Sequence, residues 1–177
     1  MIDARTLCVA SAVVFFGLVV SVALAWRELR TMKGPDRFAK SYALFLVGLL
    51  LFALQGHLPP VLSVLAANVL VVLGAALVLE GTKLIFGLRP GRRITVWTFS
   101  AATVSFGYFT FVRYDTDART ILSSAFLAAL LGTAGWTSWH RRPRSGSRAL
   151  ETVTAVALTA CALLFWARAV AIGTGLV

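Results

Sequence analysis

The sequence predicts an all-α polytopic membrane protein, a single integral membrane domain over residues 1–177 in which short loops join six transmembrane helices. Hydrophobic residues make up 59% of the chain and charged residues only 14%, whereas a soluble domain carries about a quarter charged residues. Apolar runs long enough to cross a bilayer recur, and lipid cannot satisfy free backbone groups, so each run is expected to be a helix. Segments such as VLVVLGAALVL lack the strict alternation of a β-barrel strand.

The first predicted helix covers about residues 6–26 and could be mistaken for a signal peptide, because Ala23-Leu24-Ala25 resembles a cleavage site. Its apolar region is too long for that role and the basic cluster follows it, so we expect an uncleaved helix. A basic loop with the turn signal Gly34-Pro35 comes next. The later helices are predicted at about residues 41–57, 61–86, 94–112, 120–139 and 149–172.

Basic residues alternate between successive loops and so orient the predicted bundle. The first, third and fifth loops hold five, four and four Lys or Arg, whereas the N-terminus, second loop, fourth loop and tail hold one, none, two and none. The positive-inside rule places the basic loops in the cytoplasm and both termini outside. Near the inner interface we expect an aromatic belt of Trp26, Trp97, Trp136 and Trp139.

A net charge of +10 raises the question of nucleic-acid binding. The basic residues lie at predicted helix ends, however, where membrane topology and anionic lipid headgroups account for them. The sequence carries no known nucleic-acid motif. The expected partners are therefore anionic headgroups on the cytoplasmic side and a protein partner or second copy of the chain, and no nucleic acid.

Polar side chains within apolar helices are costly, so each one indicates a structural or functional role. Near the outer end of the sixth helix, Arg168 either contacts an anion or lipid headgroup, extends to the membrane surface by snorkelling, or pairs with Asp115 or Asp117 in the outer loop. We expect the ion pair. Asn68 is expected to join helices through a hydrogen bond, with ligand binding as the alternative. The candidate ligand or ion-pair cluster on the outer side comprises His57, Asn68, Asp115, Asp117, Arg119 and Arg168.

The third predicted helix carries a second pair of features. Glu80 and Lys83 lie one turn apart near the inner face, and we expect them to form an ion pair; a proton-coupled carboxylate is the alternative. Ala67, Gly74 and Gly81 repeat at seven-residue spacing. Because small residues let helices approach closely, this helix is expected to be the packing centre of the bundle.

The sequence predicts neither an enzyme nor a cofactor site. His57 and His140 are the two histidines, and the topology places them at opposite membrane faces, about 30 Å apart, which excludes a shared haem. One histidine without clustered cysteines or carboxylates does not predict a metal site. The bundle carries no nucleophile–base pair, phosphate-binding glycine loop or paired carboxylates, so no catalytic residue is expected.

Two longer segments carry a family resemblance. The first is FALQGHLPPVLSVLAANVLVVLGAALVLEGTKLIFGLRP, and the second is GYFTFVRYDTDARTILSSAFLAALLGTAGW, with a final ARA after it. These segments resemble the N-terminal membrane-embedded sensor region of bacterial GGDEF diguanylate cyclases. The resemblance covers about residues 26–171. Its matching positions are Pro59, Asn68, Gly74, Gly81, Tyr114, Asp115, Arg119 and Arg168.

The resemblance implies signal transduction in a bacterial inner membrane. The chain has no GGDEF motif, so we do not expect it to make cyclic di-GMP. A cytoplasmic output domain would need one more crossing, which suggests a sensor fragment or a standalone relative acting through a partner. The leading hypothesis is a non-enzymatic sensor module, and the alternative is an accessory or assembly subunit of a larger membrane complex. A small transporter ranks last, because no internal repeat is evident and the midplane is nearly free of charge.

Overall fold

A computed structural model describes residues 34–89, 91–140 and 148–174, and this part of the chain is all-helical without a β-strand. The first predicted helix, residues 6–26, lies outside the described residues. Two of the helices include a π-helical turn: Val61–Ala66 begins one, and Tyr108–Val112 follows Arg92–Gly107 at the end of another. The helices are α1 (Pro35–Ala53), α2 (Val61–Ile85), α3 (Arg92–Val112), α4 (Thr116–His140) and α5 (Arg148–Gly173).

The predicted second helix, residues 41–57, has different bounds in the structure, where α1 runs from Pro35 to Ala53. Proline suits a first turn because the N–H groups there have no intrahelical acceptor, and Asp36 next to it suits the positive end of the helix dipole. At the other end the chain turns at Gly56, whose φ of 96° favours glycine. His57 therefore lies in a turn and not on a helix.

The predicted fifth helix also begins earlier, at Thr116 instead of about residue 120. The Asp115 carboxylate accepts a hydrogen bond of 2.9 Å from the Ala118 backbone N–H. This is the geometry of a helix N-cap, which lets the helix extend back through the predicted outer loop. The bounds of α2, α3 and α5 lie within two residues of the predicted ones.

Successive helices run in opposite directions, so helix ends gather at two ends of the described part. The start of α1, the end of α2, the start of α3, the end of α4 and the start of α5 share one end. We call this the basic end, because it holds Arg37, Lys40, Lys83, Arg89, Arg92, Arg93 and Arg148. The opposite end holds the links 54–60 and 113–115 and the end of α5.

The α1–α2 pair is held by small residues that face each other in three layers. A Cβ added at Gly34 would lie 3.0 Å from the Gly81 carbonyl oxygen, and one at Gly48 would lie 3.1 Å from that of Ala67. Between these layers the Ser41 hydroxyl donates a buried hydrogen bond of 2.8 Å to the Gly74 carbonyl. These contacts place Ala67, Gly74 and Gly81 along one close seam with α1, which we call the small-residue seam.

The hydrophobic core lies where α2 meets α3 and α4. It comprises Val69, Val72, Ala75, Ala76, Val78, Leu79, Ala102, Phe106, Leu127, Leu130, Leu131 and Ala134, with Ala162 from α5. Phe106 of α3 and Phe126 of α4 have ring centroids 6.2 Å apart. On the far side of α4, Gly132 and Gly135 allow α5 to approach, since a Cβ at Gly135 would meet Thr159. The helix α2 is thus flanked by α1, α3 and α4.

Three helices of the described part are long and apolar enough to cross a membrane: Val61–Ile85, Thr116–His140 and Ala155–Gly173. They are compatible with a membrane protein, while the six-span bundle stays a prediction. The first two turns of α1 contain Asp36, Arg37 and Lys40, which leaves a short uncharged part. Serine and threonine recur along α3 and lower its apolar character.

Candidate functional site

The basic end holds an ion-pair network that joins three helices. Glu80 of α2 is 5% exposed, and its Oε2 atom lies 3.4 Å from Nη1 of Arg37 on α1. The Thr95 hydroxyl of α3 donates to the Glu80 Oε1 atom. Asp36 continues the network on α1, because its Oδ2 atom lies 3.8 Å from Arg37 Nε and 3.6 Å from Lys40 Nζ. Two cations and two carboxylates leave this network neutral.

The predicted ion pair between Glu80 and Lys83 is wrong. Both residues are described, and the salt bridge of Glu80 is with Arg37 instead. The reason is burial: Glu80 faces the junction of α1, α2 and α3, whereas Lys83 lies further toward the half-exposed end of α2. Arg37 and Thr95 were missed, because a local spacing rule cannot show a partner on another helix.

At the opposite end, Arg119 is the charged residue that the fold encloses most. It lies in the first turns of α4 and is 5% exposed. Its guanidinium carbon lies 4.9 Å from the ring centroid of Tyr114, a cation–π geometry. Its Nη1 atom is nevertheless buried without a hydrogen-bond partner. The neighbouring carboxylate of Asp115 caps α4 instead of pairing with it.

The predicted ion pair of Arg168 with Asp115 or Asp117 is also wrong, since among the described residues neither aspartate forms a salt bridge with Arg168. Arg168 is exposed on α5, which packs mainly on α4, and Asp117 is exposed at the start of α4. His57 is also exposed, in the turn after α1. His57, Asp117 and Arg168 lie at the same end of the fold, and no salt bridge joins them.

Asn68 has a local role that differs from the predicted hydrogen bond between helices. It is 8% exposed, and its Nδ2 atom donates a bond of 2.8 Å to the Val64 carbonyl one turn earlier. Val64 belongs to the π-helical turn, where the regular backbone ladder is interrupted. Asn68 therefore stabilises the change from π-helix to α-helix in α2.

Four side chains in the described part keep a buried polar atom without a hydrogen-bond partner, and they lie on α3 and α4. They are Thr103, Thr110, Arg119 and Ser124. Buried polar groups are nearly always paired, so these four side chains are exceptions within the described part. Thr110, in the π-helical turn of α3, was missed by sequence reasoning because an isolated threonine in an apolar run has no distinguishing pattern.

The two histidines lie at different ends of the fold: His57 follows α1 at the opposite end, and His140 closes α4 at the basic end. The His140 ring stacks on Trp136 with centroids 3.7 Å apart. Within the described ranges, no three His, Cys, Asp or Glu side chains are grouped to hold a metal ion.

In comparisons with known proteins, no family model matches the chain, and no curated protein or solved structure is significantly similar to it. The resemblance to sensor regions of GGDEF cyclases therefore stays a prediction.

Proposed function

We propose that the chain is a non-enzymatic membrane module of the signalling-sensor type, which receives a stimulus at the opposite end and passes it to a protein partner at the basic end. The observation that carries this proposal is the contrast between the two ends. At the basic end, the buried carboxylate of Glu80 is paired with Arg37 of α1 and accepts a hydrogen bond from Thr95 of α3. The opposite end instead encloses Arg119 with an unpartnered nitrogen. A site with unmet hydrogen bonds is one that a ligand can change.

The proposed orientation puts the basic end in the cytoplasm of a bacterium, in keeping with the positive-inside rule. Exposed tryptophans near that end support it, since Trp97, Trp136 and Trp139 are 74%, 67% and 55% exposed. Aromatic residues of this kind concentrate at membrane interfaces. In this arrangement α1 to α5 are the last five of six transmembrane helices, and the basic residues face anionic headgroups.

The proposed transmission runs through α2, which touches both ends. Its start carries the π-helical turn and Asn68, and its end carries Glu80. Between them the small-residue seam fixes α2 against α1 with backbone atoms in contact range. A shift of α3 or α4 at the opposite end changes the packing around α2, and the Glu80–Arg37–Thr95 contacts report that shift at the basic end.

A photo-cross-linking experiment tests this proposal. A photoreactive amino acid at Arg93, exposed at the basic end, is expected to capture one partner protein in cells. The yield should change at least about twofold in R119Q and stay unchanged in R113Q, because Arg113 is exposed at the same end. Absence of a specific product from position 93, or equal yields in R119Q and wild type, contradicts the sensor proposal.

A second candidate, an accessory subunit of a larger membrane complex, is favoured by α5. Leu163, Leu164 and Trp166 are 62%, 71% and 61% exposed, and little of its apolar span is covered. A photoreactive residue at position 164 would then give a constant product that does not respond to R119Q. Lipid alone covering this face predicts no protein product at position 164.

A further inference from the structure

We propose that Arg119 and Thr110 bind a phosphate group at the opposite end of the bundle. The proposal deepens the sensor function and rests on it for its biological meaning, but the site itself is argued from its own chemistry. Arg119 is 5% exposed, and burying a guanidinium is costly. Its Nη1 atom is a buried donor without an acceptor, which adds to that cost. A bound oxyanion removes both costs.

The chain contains a carboxylate that is suitably spaced to neutralise Arg119, yet the fold uses it elsewhere. Asp115 precedes Arg119 by four residues, a spacing at which acidic and basic side chains on a helix often pair. Its Oδ1 atom instead accepts the Ala118 N–H at 2.9 Å. No salt bridge joins Arg119 to any carboxylate of the described residues. The guanidinium is therefore positioned without a counterion from the described part.

Thr110 supplies a second buried polar group for the proposed site. It is 7% exposed, and its Oγ1 atom also has no hydrogen-bond partner. It lies in the π-helical turn Tyr108–Val112, which packs against α4. Along the sequence, the short link 113–115 connects this turn to α4. π-helical turns are often found at functional sites, because they interrupt the backbone ladder and redirect side chains.

The position of Arg119 in α4 selects the class of anion. It lies within the first turns of a 25-residue helix, where the helix dipole favours negative charge. Since α4 is one of the three candidate membrane spans, its first turns lie at the depth of lipid headgroups. Phosphate is the oxyanion concentrated at that depth, and the planar guanidinium fork binds it with two parallel hydrogen bonds. The Tyr114 ring lies over the guanidinium, 4.9 Å from its carbon to the ring centroid, so the ring occupies a face and not a hydrogen-bonding position.

The phosphate can belong to a lipid headgroup or to a free solute, and two probes distinguish these sources. The full chain is delipidated in a phosphate-free maltoside detergent. Phosphatidylglycerol is titrated and bound lipids are counted by native mass spectrometry, with a phosphate-free galactolipid as the matched control. Inorganic phosphate is titrated separately by calorimetry.

We expect wild type to bind one of these probes and R119Q to bind it at least about tenfold more weakly, the loss typical of a charge-assisted hydrogen bond. R113Q removes the same charge from an exposed position and should bind like wild type. Binding of phosphatidylglycerol alone assigns the lipid source, and binding of inorganic phosphate assigns the free one. Failure of both probes, or equal binding by R119Q and wild type, overturns the phosphate site.

T110V keeps the shape of the side chain and provides a second measurement should R119Q not fold. We expect it to weaken binding of the same probe about threefold or more through loss of the hydroxyl, and unchanged binding by a folded T110V then overturns the site. These binding results are independent of the cross-linking yield at position 93. Loss of phosphate binding in R119Q without a change in that yield keeps the site and rejects the sensor function.

Discussion

Glu80 and Arg37 show how burial makes an ion pair unequal for its two partners. The Glu80 side chain is 7% exposed, whereas that of Arg37 is 36% exposed and also lies near Asp36. Replacing Arg37 leaves the buried carboxylate of Glu80 without its charged partner. Replacing Glu80 leaves an arginine that still reaches solvent. The contribution of the pair to stability therefore depends on which partner is replaced.

We predict that R37M lowers the free energy of unfolding by about 3 kcal/mol, the typical cost of a buried charge that has lost its partner. E80Q should cost about 1 kcal/mol, because glutamine still accepts the Thr95 hydroxyl. Unfolding in detergent, followed by circular dichroism, measures both changes.

K40M is the matched control for this comparison, since Lys40 is 63% exposed and touches only Asp36 in the network. Its effect should stay within about 0.5 kcal/mol, as for other exposed pairs. Equal losses from R37M and E80Q, or a loss in K40M as large as in R37M, would contradict the assignment of Glu80 as the enclosed partner.

At the scale of the helices, the small-residue seam shows what sequence patterns reveal and what they leave out. The repeat of Ala67, Gly74 and Gly81 could be recognised in the sequence, because a seven-residue spacing keeps residues on one face of a helix. The same spacing joins Gly34, Ser41 and Gly48, but Gly34 was assigned to a loop. Matching the two repeats requires knowing that α1 and α2 are antiparallel neighbours, which the contacts between them establish.

The bounds of the helices could not be predicted closely either, because they depend on capping contacts. Asp115 and Asp117 suggested an exposed outer loop, yet one caps α4 and the other lies in its first turn. Charges at a helix start and charges in a loop look alike in a sequence, and only the hydrogen bond to Ala118 distinguishes them.

We predict that G74V lowers the free energy of unfolding by about 1–3 kcal/mol, the usual cost of overpacking. A Cβ at Gly74 would lie 3.2 Å from the Ser41 carbonyl oxygen and 3.3 Å from the Phe45 ring. Thermal unfolding in detergent measures the loss, and a larger side chain should increase it.

Gly107 provides the matched control, because it lies at the end of the α-helical part of α3 and a Cβ there meets nothing within 4 Å. G107A should raise stability by up to about 1 kcal/mol, since alanine favours helix over glycine. A G74V protein as stable as wild type would show that α1 and α2 do not pack through the small-residue seam.

For the whole molecule, composition was sufficient to predict an all-helical fold, since the described part has helices and no strand. The number of membrane spans was harder to predict, because apolar runs do not show whether a neighbouring charged segment is a loop or the first turns of a helix. Asp36, Arg37 and Lys40 lie within α1, and in the described part three helices meet the length and apolarity of a span. Contacts between helices, such as Arg37 with Glu80, decide whether such turns enter the bundle.

The separation of the two ends is the central claim at this scale, and cysteine accessibility in intact cells tests it most directly. In a protein with Cys8 and Cys161 replaced by serine, single cysteines are introduced at Arg89 and Asp117, exposed residues at the basic and opposite ends. A membrane-impermeant maleimide should label D117C in intact cells, and R89C only after permeabilisation, because the proposed orientation places the basic end in the cytoplasm. Labelling of R89C from outside, or equal labelling of both positions in intact cells, would contradict the account.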